Sequence, residues 1–195
     1  LADLLQQQAS ERSGMAAATD WFAAGHVLEF RVGQAEQALV CYQAALEADP
    51  CAMPAVEAAG RLLAAAGEIE PLSTMLEGVL AKVTDPDLLV GLHFMLAELY
   101  EHNLAQPDQA SAHYAAVLER VPSYLPALDG LARVYATLGQ HDQLAALYEQ
   151  RAILHDDIEI TARQLTLAGA VWDGPTSDPD KAIDFYQRAL EAVPN

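Results

Sequence analysis

The sequence repeats itself with a 72-residue period, and this period limits the chain to architectures built from similar units. The pattern Ala-x3-Tyr-x3-Leu-x3-Pro occurs three times at equal intervals, beginning at Ala38, Ala110 and Ala182. A second set of related residues fills the gaps, so each unit of the period consists of two similar halves of about equal length. Such periods are typical of solenoids, in which each repeat buries its apolar face against its neighbours.

The spacing of apolar residues predicts helices. In the segment from Leu92 to Tyr100 they recur at i, i+3, i+4 and i+7, which is a helical stripe and not the alternation of a strand. The second helix of each regular half is ended by Pro50, Pro122 or Pro194, because an interior proline removes an amide donor and clashes with the preceding turn. The predicted helices are 1–12, 16–31, 34–48, 52–66, 68–84, 86–102, 107–121, 124–138, 140–155, 157–172 and 179–193.

Small residues recur in the middle of the predicted helices. A helix-interior glycine is about 1 kcal/mol less favourable than alanine, so these positions indicate places where a second helix must approach closely. Opposite them, the second helices carry Ala38, Ala110 and Ala182 as the reciprocal small positions. The second helices also carry a repeated tyrosine that we interpret as core packing and not as a platform for stacking bases. The small residues are Gly25, Gly60, Ala97, Ala132 and Gly169, and the tyrosines are Tyr42, Tyr114 and Tyr186.

These residues resemble the motif of the tetratricopeptide repeat (TPR) family, in the bacterial type that alternates regular with degenerate copies. One regular copy carries Trp21, Ala24, Gly25 and Leu28 on helix A, then Ala38, Tyr42, Ala45 and Pro50 on helix B. The degenerate copies have Leu72 and Leu144 where a small residue belongs. The resemblance implies an all-α fold, a right-handed α-solenoid of antiparallel helical hairpins (a TPR superhelix) whose A helices line the concave surface.

The resemblance covers nearly the whole chain, so we expect a single solenoid over residues 1–195. It divides into an orphan helix at 1–12 and hairpins at about 16–50, 51–85, 86–122, 123–156 and 157–195. The orphan helix predicts a fragment of a longer array, with apolar side chains uncovered at both ends and weak end-to-end self-association. These side chains are Leu1, Leu4, Leu5, Ile183, Phe185, Tyr186 and Leu190.

No pattern of catalytic, cofactor-binding or metal-binding residues is present. The sequence lacks the GxxxxGK[ST], GxGxxG, HExxH and GxSxG motifs, and no two histidines are spaced i, i+4. Cys41 and Cys51 are interpreted as unpaired thiols, since they have neither metal-ligand spacing nor a suitable geometry for a bridge. The acidic pairs that begin at Asp85 and Asp178 are interpreted as helix caps. We therefore expect no enzyme activity, no cofactor and no metal.

The resemblance also indicates where a partner would bind. In peptide-binding TPR proteins, ligands contact mainly the helix-A positions three before and one after the small residue. Two such pairs here are acid-to-base at i, i+4, and we expect each to pair within its own helix for a few tenths of a kcal/mol. Relatives that clamp an acidic C-terminal carboxylate use lysine and asparagine at these positions, and this sequence has neither. The positions are Phe22 and His26, Glu57 and Arg61, Phe94 and Glu98, Asp129 and Arg133, and Thr166 and Ala170.

The charge balance narrows the class of partner. With 28 acidic and 10 basic residues, the net charge of −18 argues against nucleic acid and anionic membranes, which need a basic footprint. No uncharged run exceeds ten residues, so membrane insertion is not expected. The sequence predicts a mildly apolar groove around Phe22, His26 and Phe94, used by a non-catalytic protein-interaction or scaffolding module for a neutral, basic or amphipathic protein segment.

Several alternatives stay open. The helix-A face can be an ordinary solvated surface that binds nothing. The repeats can act as a structural spacer or self-assembly element, or as the regulatory region of a larger multidomain enzyme. The compartment, cytoplasm or periplasm, is open as well.

Overall fold

The structure is a computed structural model and describes residues 1–154, 157–174 and 178–193. Within these ranges the chain forms helices and no strand, which confirms the predicted all-α class. Pro194, predicted to end the last helix, lies outside the described residues. The helices are α1 (Ala2–Ser10), α2 (Gly14–Val27), α3 (Ala35–Ala48), α4 (Met53–Ala66), α5 (Ile69–Leu80), α6 (Pro86–His102), α7 (Pro107–Arg120), α8 (Leu125–Leu138), α9 (His141–Ile153), α10 (Ile158–Trp172) and α11 (Pro179–Ala192).

Two helix ends differ from the prediction for local reasons. Helix α2 passes into a π-helical turn at Leu28–Val32, which Gly33 closes with a φ of 77°. Helix α5 ends at Leu80 and not at residue 84, because the chain turns there and buries Val83, which is only 5% exposed. The predicted helix through 84 is therefore wrong in its last turn.

The helices divide into two compact units, Leu1–Leu92 and His93–Asn195, with the division inside α6. In both units the main packing joins helices that are adjacent in sequence. Unit 1 has a core centred on Tyr42, and the described core clusters of unit 2 include one around Trp172 and one around Leu165.

Helix caps follow the sequence signals. The Asp85 carboxylate accepts hydrogen bonds from the amides of Asp87 (3.0 Å) and Leu88 (3.1 Å), which confirms that this acidic pair caps α6. Asp178 similarly accepts from the amide of Lys181 at 3.2 Å at the start of α11.

Cys41 is buried and Cys51 is exposed, and both are unpaired as predicted.

The small helix-interior residues fall into two groups. A Cβ atom at Gly25 would lie 2.6 Å from Tyr42 Cε1, and one at Gly169 would lie 2.7 Å from Tyr186 Cε1, so both glycines are required by a tyrosine ring. At Gly60 a Cβ would make only an ordinary contact with Leu72, at 3.5 Å. The close approach inferred from the sequence is therefore confirmed at Gly25 and Gly169 and is wrong at Gly60.

Candidate functional site

A polar link joins three helices in unit 1. The Tyr42 hydroxyl on α3 donates a 2.8 Å hydrogen bond to Glu29, which lies in the π turn that ends the first helix of the same hairpin. Arg61 Nη2, from α4 of the next hairpin, lies 2.6 Å from the other oxygen of the same carboxylate. Burial is the main cause that raises the pKa of Tyr42, and the hydrogen bond to Glu29 is the second. The hydroxyl therefore stays protonated and remains a donor. Glu29 thus holds α3 and α4 at once.

Unit 2 contains the same link one period later. Tyr114 donates to Glu101 at 2.6 Å, and Arg133 contacts both oxygens of that carboxylate through Nε (2.7 Å) and Nη2 (3.0 Å). Burial disfavours the charge on Glu101, but the hydrogen bonds from Arg133 and Tyr114 outweigh it and lower the pKa of the carboxyl. A third copy has Tyr186 at 3.4 Å from Asp173.

This link corrects the pairing expected along single helices. Arg61 pairs with Glu29 and not with Glu57, and Arg133 pairs with Glu101 instead of Asp129. The flexible arginines reach the neighbouring hairpin, where a largely buried carboxylate offers a stronger hydrogen bond than an exposed one on the same helix.

Asp129, which was predicted to pair with Arg133, forms an ion pair with a residue of another helix. The Asp129 carboxylate receives Arg151 Nη1 from α9 at 2.7 Å. The sequence did contain the signal for the link, since an acidic residue recurs at one position of the period, as Glu29, Glu101 and Asp173.

The helix-A face of unit 1 carries a row of aromatic rings. Phe22 is half-buried and packs on Tyr42 with ring centroids 5.5 Å apart, while His26 and Phe30 point outward with centroids 4.6 Å apart. Phe30 is 59% exposed, and the Arg61 guanidinium lies 5.7 Å from its centroid. The prediction named Phe22 and His26 and missed Phe30, one turn further on.

A cleft of about 340 Å³ adjoins this aromatic row. Met15, Phe22 and Pro54 supply much of its apolar lining, and Met15 is 75% exposed. Glu57 is exposed on the neighbouring helix α4. We name the rings of Phe22, His26 and Phe30, together with this cleft, the aromatic surface. It offers apolar area with an acidic residue nearby.

The corresponding face of unit 2 is more polar. Phe94 is half-buried, with its centroid 6.0 Å from Tyr114 and 5.3 Å from Tyr124, so it fills space between rings and does not project. Glu98 is exposed. At the last predicted pair, the Thr166 hydroxyl is bonded to the carbonyl of Ala162 in its own helix at 2.8 Å.

Three arginines line a cleft of about 640 Å³ on this face of unit 2. Arg133 and Arg151 are held by the carboxylates described above, whereas Arg163 has no ion-pair partner among residues 1–154, 157–174 and 178–193. Gln164 lies in the same lining, is 8% exposed, and its Oε1 has no hydrogen-bond donor in the described chain. Arg151, Arg163 and Gln164 were not predicted from the sequence, because they lie outside the positions that contact ligands in peptide-binding TPR proteins.

Two histidines meet in unit 2 away from these faces. His93 Nδ1 lies 3.0 Å from His113 Nδ1, and the His113 ring stacks on Tyr100 with an interplanar angle of 8°. Burial, together with the nearby His113, lowers the pKa of His93.

Among the described residues no group of three or more potential ligands could hold a metal ion. No helix of the described chain is long and apolar enough to cross a membrane.

Comparison with known proteins finds similarity in one segment of the sequence and in the fold. Residues 127–159 match the tetratricopeptide repeat model. The structure is similar to YrrB, a TPR protein with an unusual peptide-binding site, at a TM-score of 0.56 and 21% identity, over 100% of this chain and 95% of YrrB. No curated protein matches by sequence.

Two further solved structures show the same fold. MamA has a TM-score of 0.52 and 19% identity, with 90% of this chain and 91% of MamA covered. The C-terminal part of a TPR repeat-containing protein from Cytophaga hutchinsonii has a TM-score of 0.56 and 18% identity, with 100% and 82% covered. The chain therefore has the all-helical fold of tetratricopeptide-repeat proteins, and residues 127–159 also match the repeat in sequence.

Proposed function

We propose that the chain is a non-catalytic protein-interaction module whose aromatic surface binds a segment of a partner protein. The observation that carries the proposal is Phe30, which is 59% exposed although its ring packs against His26 and lies beside Arg61. A large ring held in place by neighbours loses little conformational entropy when a partner covers it, which is typical of residues that anchor interfaces. The adjoining cleft of about 340 Å³ gives room for one apolar side chain of the partner.

The charges of the two helix-A faces favour a neutral, basic or amphipathic segment. Arg61 and Arg133 are already neutralised by Glu29 and Glu101. The carboxylates of Glu57 and Glu98, by contrast, have no ion-pair partner within the described chain. A partner's lysine or arginine would be attracted to these carboxylates, and the net charge of −18 would steer it during approach.

Selection from a library of displayed linear peptides tests this proposal. We expect the parent to enrich peptides that combine an aromatic or aliphatic residue with lysine or arginine. Phe30→Ser should lose them, because it removes the exposed ring without disturbing a buried contact. Val40→Ser is the matched control, since Val40 is 63% exposed on α3 but lies outside the aromatic surface. Enriched peptides that bind Phe30→Ser as well as the control would contradict the proposal.

A second candidate is self-association through exposed leucines. Leu4 of α1 is 64% exposed and Leu190 of α11 is 76% exposed, whereas Leu5, Phe185 and Tyr186 are partly covered by neighbouring helices. Burying such leucines against a second copy would be opposed by the repulsion of two acidic chains, which salt screens. Sedimentation over a range of protein and salt concentrations separates the candidates: dimer formation that increases with salt and is lost in Leu190→Ser favours self-association, and a monomer throughout excludes it.

A further inference from the structure

The B helices of unit 1, α3 and α5, form a groove that shares no residue with the aromatic surface. It has a volume of about 640 Å³ and lies between α3 and α5. Leu46, Met75 and Val79 provide an apolar floor, and Glu47 and Glu70 stand at its margins. We name this feature the B-helix groove.

A glycine in the wall of this groove has no role inside the chain. Gly78 lies within α5, where glycine is a poor helix former, and a Cβ atom built on it meets no atom within 4 Å. Gly25 is different, because the ring of Tyr42 packs directly against it. The absence of a side chain at Gly78 therefore keeps the groove open and does not serve the packing of the chain itself.

The equivalent groove of unit 2 carries a side chain at this position. Gln150 is the counterpart of Gly78 one period later, and the groove that it lines has a volume of about 410 Å³. Leu118 and Glu119 are the counterparts of Leu46 and Glu47, so the apolar floor and one acidic margin recur. The same fold thus accepts a filled groove, and unit 1 has the wider version.

We propose that the B-helix groove of unit 1 docks an amphipathic α-helix of a partner protein that carries lysine or arginine beside an apolar stripe. The lining residues recur at i, i+4 and i+8 on α5, as Glu70, Thr74 and Gly78, and Lys82 follows just beyond the helix end at Leu80, so the row extends from residue 70 to residue 82. A helix of about 12 residues matches that row, and its own ridge of side chains fits between α3 and α5.

Charge selects the kind of helix. Glu47 and Glu70 are exposed, and neither carboxylate has an ion-pair partner within the described residues. Lys82 is the single basic residue of the lining and lies at one end of it. A helix with basic residues beside its apolar stripe would bury that stripe on Leu46, Met75 and Val79 while its charges meet the two glutamates.

Fluorescence anisotropy with the full chain tests the proposal. The probe is a labelled helical peptide of about 14 residues, long enough to span the row, with leucine and alanine on one face and lysine on both flanks. The comparison peptide carries glutamate in place of lysine. We expect the lysine peptide to bind at least about tenfold more tightly than the glutamate peptide, and its affinity to fall as salt increases.

Matched variants locate the binding. Gly78→Gln introduces the residue that the equivalent groove already carries, so the chain should fold and melt at or above the parent temperature while affinity falls about tenfold or more. Gly78→Ala adds only a methyl group, and Gln150→Ala alters the other groove, so both should keep the affinity within about twofold.

Three results of the binding measurements would overturn the proposal. They are equal binding of the two peptides, unchanged affinity in Gly78→Gln, or loss of binding in Phe30→Ser, which would place the peptide on the aromatic surface. A dimer of the parent that Gly78→Gln dissolves would also overturn it, since the occupant would then be a second copy of the chain. Because Phe30→Ser leaves the B-helix groove intact, this inference and the proposed function fail separately.

Discussion

Tyr42 of unit 1 and Tyr114 of unit 2 occupy the same position in the polar link, but their rings lie against different glycines. In unit 1 the ring of Tyr42 lies against Gly25, on the first helix of its own hairpin. In unit 2 the ring of Tyr114 lies against Gly130 on α8, where a Cβ atom would be 2.6 Å from Tyr114 Cε1. Tyr42 and Tyr114 thus each have one glycine beside the ring, but from a different hairpin, whereas Tyr186 in unit 2 repeats the arrangement of Tyr42 with Gly169.

The counterparts of these glycines are alanines in the other unit. Ala97 occupies the position of Gly25 one period later, and Ala58 occupies the position of Gly130 one period earlier. Ala97 is fully buried and Ala58 is 9% exposed, so both are part of the core. The comparison teaches that the tyrosine ring needs a glycine beside it, and that this glycine can lie on either of two neighbouring helices.

The largest effect should come from removing the ring. Tyr42→Ala and Tyr114→Ala should each lower the free energy of unfolding by about 4 kcal/mol, since both side chains are almost fully buried and truncation leaves a cavity. Chemical denaturation measures this. Tyr114→Phe is the control and should lose about 1 kcal/mol, the value of one hydrogen bond. Equal losses for the two Tyr114 variants would contradict the packing assigned to the ring.

The next largest effect tests which helix provides the space. Gly130→Ala should cost about 2 kcal/mol by overpacking against Tyr114, and Gly25→Ala should cost a similar amount against Tyr42. Gly78→Ala serves as the control, because its Cβ atom meets open space and should raise stability by about 1 kcal/mol. Thermal melts compare the three. If Gly130→Ala melts with the parent, the two units do not differ as described.

A smaller effect concerns the carboxylate. Glu101→Gln should lose about 1 kcal/mol at neutral pH, and Glu29→Gln less, because Arg61 makes a single contact where Arg133 makes two. The folded pKa of Glu101 lies below its ordinary 4.5, so its contribution is present above pH 4.5 and is lost as pH falls through the folded value.

The measurement for this prediction is urea denaturation of parent and Glu101→Gln at several pH values. The difference between the two proteins should shrink in acid, since the parent carboxyl is then protonated as well. Glu98→Gln, at an exposed position, should stay within about 0.5 kcal/mol of the parent at every pH. A difference that grows in acid would show that the charge of Glu101 opposes folding.

The smallest effect concerns the turn after the first helix of each hairpin. Gly33 has a φ of 77°, and its counterpart one period later is Ala105, the non-glycine residue with positive φ, at 52°, in the described chain. Alanine is strained there, so Ala105→Gly should stabilise the protein by about 0.5 kcal/mol, and Gly33→Ala should destabilise it by about 1 kcal/mol. Melting temperatures that move in the opposite directions would contradict this reading of the turns.

The sequence predicted the hairpins well because each signal was local or periodic. The ladder from Ala38 through Tyr42 to Pro50 identifies a helix and its end without any knowledge of its neighbours. All eleven predicted helices are present in the described chain, and their ends differ from the prediction by about one helical turn or less. The close approach at Gly25 was predicted for the same reason, since a glycine within a helix needs a packing partner.

The site was harder to predict because its contacts cross between hairpins. Arg61 and Glu57 are neighbours on one helix, so sequence spacing favoured their pairing over the pair with Glu29, which belongs to the preceding hairpin. Phe30 was missed because it lies outside the helix-A positions that are counted from the small residue Gly25. Arg163 and Gln164 enter their cleft through the packing of α8, α9 and α10, and no spacing along the chain reveals that.

The polar link also bears on how such a chain can be lengthened by copying. Its tyrosine and carboxylate come from one hairpin and its arginine from the next, so duplicating the first hairpin alone would leave one carboxylate without its arginine. A segment of two hairpins carries all three groups and regenerates the link in every copy. One full period is thus the shortest segment whose duplication keeps the polar link complete. Gly78 and Gln150 show that groove residues outside the link can differ between copies.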